Sequence, residues 1–391
     1  MRRFTLGFLC VAVLFALPVL AGDADKPYGH TIPPFKPVFI KLFGVQCRLM
    51  SMEQLRTVAA QLTTQEKSAM SYFLGADGHA QVKSTLEPEK QKFLDQEFAL
   101  RAEAQPVDLQ PLYPHILAVS DNTLTLEQHK KALAELTPEE MGSQSFYLGD
   151  GGRKTFFSLL TPDRVEAVLD YTPDWVLLET GRRVYAAMKS YSCIGFKQEM
   201  IGGKMQGVEK ILIKTRDQPW AIYMKWLDGP FKGRELIYNE KLLGVGKVRV
   251  RESGILGITP VTLPVDSDIA RRGTNHYITD IGLKFLFRTI ETDYRKAAPR
   301  NVIKRINHGI IDLDGVRVYK METILPRDQS AGFYCYRTMH YIDFLRSMEV
   351  KAEMYNWDNV MYESYHYIQI KPNPGFTERD FDPANPEYNL K

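Results

Sequence analysis

Two short stretches decide the fold of the second half of the chain: Ala221-Ile222-Tyr223-Met224-Lys225-Trp226 and Arg234-Glu235-Leu236-Ile237-Tyr238. Successive side chains of a β-strand point to opposite faces of the sheet. In the first stretch, Ile222, Met224 and Trp226 therefore share one face, and the residues between them share the other. The two stretches predict neighbouring strands of an antiparallel sheet.

The same strand-like character recurs along the rest of this half. Lys247, Arg249 and Arg251 alternate with two valines, which is typical of a strand with one solvated face. Including that segment, the further predicted strands are Ser192–Met200, Gly207–Arg216, Lys247–Arg251, Val302–Ile311, Val316–Leu325, Gly332–His340, Met348–Tyr355 and Met361–Ile370. Helical spacing predicts one helix over Trp175–Tyr191 and a very apolar one over Tyr277–Lys296, with Thr279 as its N-cap.

The first half reads instead as helices, and its pattern occurs twice. When the sequence is shifted by 74 residues, Glu53-Gln54 falls on Glu127-Gln128, and the Thr63-x-x-Glu66 capping box falls on Thr137-x-x-Glu140. We interpret residues 45–171 as a duplicated helical region. Two copies are too few for a self-supporting solenoid, so we expect them to form a small helical domain or to pack on the second half. In either case we expect the repeat to provide a partner surface rather than chemistry. Chance similarity between amphipathic helices is the weaker alternative.

The N-terminus has the pattern of a secretory signal. The basic start Met1-Arg2-Arg3 precedes an uncharged run over 4–21 that ends in Val19-Leu20-Ala21. This predicts a signal peptide over 1–21, a linker over 22–44, and a protein exported to the periplasm or cell envelope. An uncleaved membrane anchor is the alternative, since the run is about long enough to cross a bilayer. Later segments do not approach that length without charges.

Composition excludes several classes of protein. The 391 residues are 44% hydrophobic and 25% charged, with a formal net charge of +3. These values argue against wholesale disorder, a multi-span membrane protein or a charge-driven nucleic-acid-binding protein. Export would permit disulfides, and Cys193 and Cys335 would be the first pair to test. The alternative is that both are small buried apolar residues.

The sequence contains only weak matches to catalytic, metal-binding or phosphate-binding motifs. The sequence Gly149-Asp150-Gly151-Gly152 differs from a phosphate-binding loop and predicts a turn. Four histidines of the second half lie on four separate elements, so only the fold could bring them together around a metal; they are His276, His308, His340 and His366. Glu199, Glu209 and Glu235 have no distinctive spacing. We therefore predict no catalytic residue, no metal site and no cofactor.

Six motifs in this half, in this order and spacing, resemble an exported bacterial family of unknown function, DUF1571. The motifs are Phe196–Glu199, Lys214–Pro219, Ile222–Leu227, Gly233–Tyr238, Asn275–Leu283 and Asp380–Tyr388. The resemblance covers about residues 175–391. It implies the fold of the periplasmic lipoprotein carriers of the Lol system, which is an incomplete antiparallel β-barrel closed by helices, with an apolar cavity for acyl chains. The expected fold class is α+β, with the barrel over 172–375 and an extended tail over 376–391.

The resemblance implies a carrier or sensor that binds a lipid or an acylated protein without catalysis. The residues expected to contact the ligand lie on the two opening strands and on the apolar helix: Ile222, Met224, Trp226, Leu236, Tyr238, Leu283 and Phe287, with Lys225 and Arg234 as rim groups for a headgroup. A filled core is the alternative for the apolar residues, and strand-stabilising ion pairs with glutamate are the alternative for the two cations. A second hypothesis is an envelope assembly protein that binds its partner through the helical repeat. A hydrolase or metalloenzyme is a remote third.

Overall fold

The structure is a computed structural model that describes residues 35–63, 113–138, 140–142, 156–257 and 259–391, with positions 66, 80, 83, 84, 88, 91 and 154. The chain divides into two compact units, residues 1–128 and 129–391. The predicted signal peptide and the glycine-rich turn at 149–152 lie outside the described residues. Within those residues, no helix is both long enough and apolar enough to cross a membrane.

The described part of the first unit is helical. Its described helices are α1 (Phe35–Leu49), α2 (Met52–Gln61), α3 (Tyr113–Thr123) and the start of α4 (Leu126–Ala134), which runs past the unit boundary. Helix α1 begins inside the segment predicted to be a linker. Ser51 and Gln54 form a reciprocal capping box at the N-terminus of α2.

Equivalent residues of the two sequence copies contact each other in this unit. The side-chain amides of Gln54 and Gln128 lie 3.0 Å apart, and each also donates to a main-chain carbonyl at the end of the other copy's first helix. Ser120 donates to Gln46, its equivalent in the first copy, at 2.7 Å. These reciprocal contacts give the duplicated helical region a local two-fold character.

The second unit is built on one large antiparallel sheet. Its twelve strands are β1 (Ser190–Ile201), β2 (Lys204–Met205), β3 (Glu209–Arg216), β4 (Ala221–Asp228), β5 (Glu235–Asn239), β6 (Lys247–Arg251), β7 (Val261–Pro264), β8 (Lys304–Leu313), β9 (Val316–Ile324), β10 (Arg337–Asp343), β11 (Met348–Tyr355) and β12 (Met361–Pro372). The strand order is β7-β6-β5-β4-β3-β1-β12-β11-β10-β9-β8, and β2 pairs with β1. The sheet is open, which confirms the predicted fold class of helices with an incomplete antiparallel barrel.

Most of the sheet follows the sequence pattern. Strands β6 and β11 have the predicted bounds, and β4 pairs with β5 so that Met224 lies opposite Leu236. The hairpin between β8 and β9 turns at Asp314-Gly315, where both residues have positive φ angles of 53° and 79°. The short strands β2 and β7 were not predicted.

Among the helices whose bounds the structure describes, four accompany the sheet: α5 (Pro162–Tyr171), α6 (Asp174–Ala187), the short α7 (Glu240–Leu243) and α8 (Leu283–Ala297). The predicted N-cap of α8 is wrong. The helix begins six residues later than predicted, after Gly282, whose φ of 89° breaks the helical path. Thr279 therefore lies outside the helix. Both α6 and α8 pack on β11 and on each other.

The C-terminal residues cover one face of the sheet. Phe381, Tyr388 and Leu390 are buried and pack against Tyr223 of β4 and Ile237 of β5. The rings of Tyr223 and Tyr388 stack with centroids 3.8 Å apart. The segment predicted to be an extended tail is therefore an integral part of the core.

Candidate hydrophobic binding site

A cleft lies between helices α6 and α8 and strands β9 to β11. It encloses about 820 Å³, including its open mouth. Its lining is mainly aliphatic and aromatic: Leu177, Leu178, Phe287, Ile290, Met321, Leu325, Ile342 and Met354. Of these, Leu177, Ile290 and Ile342 are only half-buried. A solvent-connected space with such walls suits an apolar ligand.

Two contacts join the helices at one end of this cleft, and a third joins α6 to β11. Gly181 of α6 faces Phe287 of α8 so closely that an added Cβ would lie 2.9 Å from the ring. The rings of Tyr185 and Phe287 pack with centroids 4.7 Å apart. The Tyr185 hydroxyl accepts from the main-chain N–H of Glu349 on β11 at 3.1 Å. The glycine therefore permits the helices to meet here.

Polar groups also line the cleft. Asp293 of α8 accepts from the Tyr334 N–H at 2.8 and 3.0 Å, yet burial raises the pKa of its carboxyl to about 6. His340 Nδ1 lies 3.3 Å from Glu349 Oε1, which also accepts from the Tyr341 N–H. These groups give the apolar cleft a small number of fixed polar positions.

A second, much smaller cavity lies over β4 and β5, and its volume of about 290 Å³ includes the open solvent at its mouth. It collects four of the predicted ligand-contacting residues, Met224, Trp226, Arg234 and Leu236. Its other walls include Lys197 and His276. Of the predicted residues on α8, Phe287 lines the larger cleft instead. The predicted set is therefore divided between two spaces.

The other predicted residues lie elsewhere. Ile222, Tyr238 and Leu283 are fully buried in the core, outside the lining of both cavities. Lys225 pairs with Glu235 across the β4–β5 hairpin at 3.2 Å. This is the strand-stabilising arrangement that the sequence left open as the alternative to a rim group.

Arg234 is enclosed rather than placed at a rim. Only 1% of its surface is exposed. It donates to the carbonyls of Ile269 and Arg272 at 2.6 and 2.7 Å, and its Nε lies 3.1 Å from Glu252. The guanidinium also lies over the Trp226 ring, 5.1 Å from the centroid. Arg234 thus fastens the segment 269–272 over this part of the sheet.

Sequence reasoning missed a buried polar cluster between the two cavities. His276 Nε2 lies 3.1 Å from Glu363 Oε1, and the Tyr334 hydroxyl donates to Glu363 Oε2 at 2.5 Å. Glu199 accepts from the Asn275 N–H and the Tyr365 hydroxyl, both at 2.8 Å. Glu363 holds the pKa of His276 above its ordinary value against the opposing effect of burial. The only sequence signal was that Glu199 and His276 fall in the family motifs.

The histidines do not meet. His308 pairs with Glu322, His340 with Glu349 and His366 with Asp314. In the part of the chain that the structure describes, no three His, Cys, Asp or Glu side chains are grouped so that they could hold a metal ion.

The two cysteines are not bridged. Cys193 and Cys335 are buried free thiols, so the pairing offered for test is wrong and the alternative of small apolar residues holds. Burial raises the pKa of Cys335 to about 12 and that of Cys193 still further.

The family profile of DUF1571, a protein family of unknown function, matches residues 188–390, and the chain belongs to this family. The match includes the whole sheet and the C-terminal segment. It confirms the resemblance that the motifs indicated. No curated protein matches the chain.

Several solved structures are similar to about half of this chain at low sequence identity. The Mycobacterium tuberculosis lipoprotein LppX is 11% identical with a TM-score of 0.34, over 54% of this chain and 100% of its own. A LolA superfamily protein from Nitrosomonas europaea is 10% identical with a TM-score of 0.24, over 53% and 96%. The Pseudomonas aeruginosa MucA/MucB complex is 13% identical with a TM-score of 0.30, over 53% and 60%. At these scores the similarities do not assign a function.

Proposed function

We propose that this protein is a non-catalytic carrier or sensor in the cell envelope that binds an acyl chain of a lipid or acylated protein in the cleft under α6 and α8. The observation that carries the proposal is the solvent-connected cleft with aliphatic and aromatic walls. Burial of each CH₂ group of a ligand there would contribute about 0.8 kcal/mol. The N-terminal signal pattern supports the location.

The polar lining of the cleft supports binding rather than catalysis. Asp174 pairs with Arg305 at 2.9 Å, and Asp293 accepts from main-chain N–H groups. Glu349 is engaged by His340 and by the Tyr341 N–H. Each of these groups has a structural partner that explains its position. None is arranged as a nucleophile with an adjacent base.

A cleft-filling variant tests the proposal. Ile290 lines the cleft, whereas Arg288 lies on the exposed side of the same helix. Ile290→Trp should weaken binding of a fluorescent monoacylglycerol by about tenfold or more, because the indole occupies space that the acyl chain needs. The matched control, Arg288→Trp, should bind as the wild type does. Equal binding by all three proteins would refute the cleft as the site.

A second candidate is an envelope interaction protein that uses the helical repeat. It is favoured because the helices of the first unit bury their own core, including Leu42, Phe43, Ile116 and Leu117. Deletion of residues 45–128, which leaves the second unit whole, distinguishes the two candidates. A carrier should keep monoacylglycerol binding in the truncated protein. An interaction protein should lose its partner in a pull-down while the full-length protein binds no lipid.

A further inference from the structure

The two cavities lie along the same face of the sheet, one on each side of a narrow band of polar side chains. The larger cleft lies over β9 to β11 and is lined by Tyr334, whereas the smaller cavity lies over β4 and β5 and is lined by His276. The Tyr334 hydroxyl and His276 Nε2 are 3.0 Å apart. A wall residue of one cavity therefore contacts a wall residue of the other.

Strand register shows how thin this band is. Met354 of β11 lines the cleft, and its neighbour across the ladder is Glu363 of β12. Glu363 in turn lies opposite Glu199 of β1. Lys197, two residues along β1 and on the same face, lines the smaller cavity. Adjacent strands are about 4.8 Å apart, so the band is one to two strands wide.

His276, Tyr334 and Glu363 form this band, which we call the polar partition. Glu363 is 1% exposed and binds both other members. Asn275 adds a further bond to Glu363 at 3.3 Å. A buried group that satisfies several partners is rigid and costly to displace. An apolar chain that reached the partition would have to break these bonds to advance.

We infer that the polar partition is the stop that limits the length of acyl chain the cleft accepts, and that the smaller cavity is closed to the ligand by it. This inference rests on the proposed function and assigns its chain-length specificity to three residues. It also places Met224, Trp226 and Leu236 beyond the stop, in a cavity whose walls include Lys197 and Arg234 as well.

The test measures affinity for monoacylglycerols from octanoyl to stearoyl by isothermal titration calorimetry. In the wild type, affinity should rise with length and then level off where the chain meets the partition. The double substitution His276→Ala with Glu363→Gln removes the imidazole without leaving an unpaired carboxylate. In this variant the affinity should continue to rise with chain length, so that the stearoyl compound binds at least about tenfold more tightly than it binds to the wild type. The reason is that each further buried CH₂ group favours binding about fourfold.

Two further variants act as controls. His366→Ala removes an imidazole from the opposite face of β12, outside the lining of both cavities, and should leave the length profile unchanged. Ala270→Leu narrows the smaller cavity, which Ala270 lines. It should have no effect in the wild-type background and should cancel the gain of the double variant.

The outcomes separate the two proposals. If affinity stops rising at the same chain length in the wild type and in a folded double variant, the partition is not the stop. The cleft would still be the binding site. If the double variant does not fold, the single variant Ala270→Leu decides. A loss of affinity confined to long chains would show that the ligand already passes the partition, which would overturn the inference. An unchanged affinity at every chain length would support the partition as the stop. If no monoacylglycerol binds the wild type, the proposed function fails and the partition has no chain to stop.

Discussion

The two halves of one sheet are covered in different ways. Over β4 and β5, one face carries the C-terminal residues Phe381, Tyr388 and Leu390, and the other carries the segment fastened by Arg234. Over β9 to β11, the cover is a pair of helices that meet at Gly181 and leave a cleft beside that contact. Both halves are rich in aromatic and aliphatic residues. The comparison teaches that the covering element, rather than the composition of the strands, decides the space that remains. We call the half with the larger cleft the hollow half, and the half that keeps only the smaller cavity the filled half.

The largest expected loss of stability comes from a substitution that breaks the cover of the filled half. Arg234→Met removes the cation that binds Glu252 and the carbonyls of Ile269 and Arg272. Loss of one partner of a buried pair should lower the free energy of unfolding by about 3–5 kcal/mol. Chemical denaturation of both proteins measures this.

The control is Arg272→Gln, which changes an exposed cation 3.8 Å from the same carboxylate. Exposed pairs contribute about 0–1 kcal/mol, so this variant should be nearly as stable as the wild type. An effect as mild as that of the control would show that the contacts of Arg234 do not hold the segment 269–272 on the sheet.

A smaller change in the free energy of unfolding, of opposite sign, is expected from a substitution in the hollow half. Asp293 has its folded pKa raised by burial to about 6, from a usual 3.8. The native state therefore binds more protons between those two values, and stability falls as pH rises through this window. Asp293→Asn should remove that dependence and stabilise the protein at pH 7 by about 1–2 kcal/mol.

Denaturation at several pH values between 3.5 and 7.5 checks this prediction. The wild-type and Asp293→Asn curves should converge at the acid end and separate as pH rises. Asp217 is the comparison carboxylate, since it is bound at 2.7 Å by Lys284. Asp217→Asn should not stabilise the protein at neutral pH. A stability loss in Asp293→Asn at pH 7 would mean that its ionised form supports the fold.

The smallest effect concerns the two thiols. Cys335 lines the cleft and Cys193 lies in β1, yet both are buried and burial raises the pKa of each. Neither should form the reactive thiolate near neutral pH. Iodoacetamide at pH 8 followed by peptide mass mapping should find both unmodified in the folded protein and alkylated in denaturant. Rapid labelling of Cys335 alone would indicate that the cleft is more open than described.

Sequence reasoning predicted the elements better than their packing. The alternation of charged residues with valine predicted β6 with its observed bounds, because a half-solvated strand leaves a pattern of period two. The start of α8 was missed because the residues from Tyr277 onward are apolar, whereas Gly282, with its positive φ, sets the boundary. Local pattern does not reveal a backbone break that depends on the fold.

The candidate site was only partly predictable for a physical reason. Met224, Trp226 and Leu236 do share an apolar face beside a cavity, as alternation indicated, but that cavity is the smaller one. The walls of the larger cleft combine helices with strands that are more than one hundred residues apart, such as Leu177 and Met321. His276, Tyr334 and Glu363 meet only through the sheet register. Such long-range juxtapositions have no periodic signature.

Native mass spectrometry of the gently purified protein tests the central claim most directly. The wild type should carry a bound lipid-sized mass that collisional activation removes, and Arg288→Trp should carry it too. Ile290→Trp should be largely free of it, because its indole fills the cleft. A wild-type protein without any bound acyl ligand, together with no uptake of added monoacylglycerol, would contradict the account.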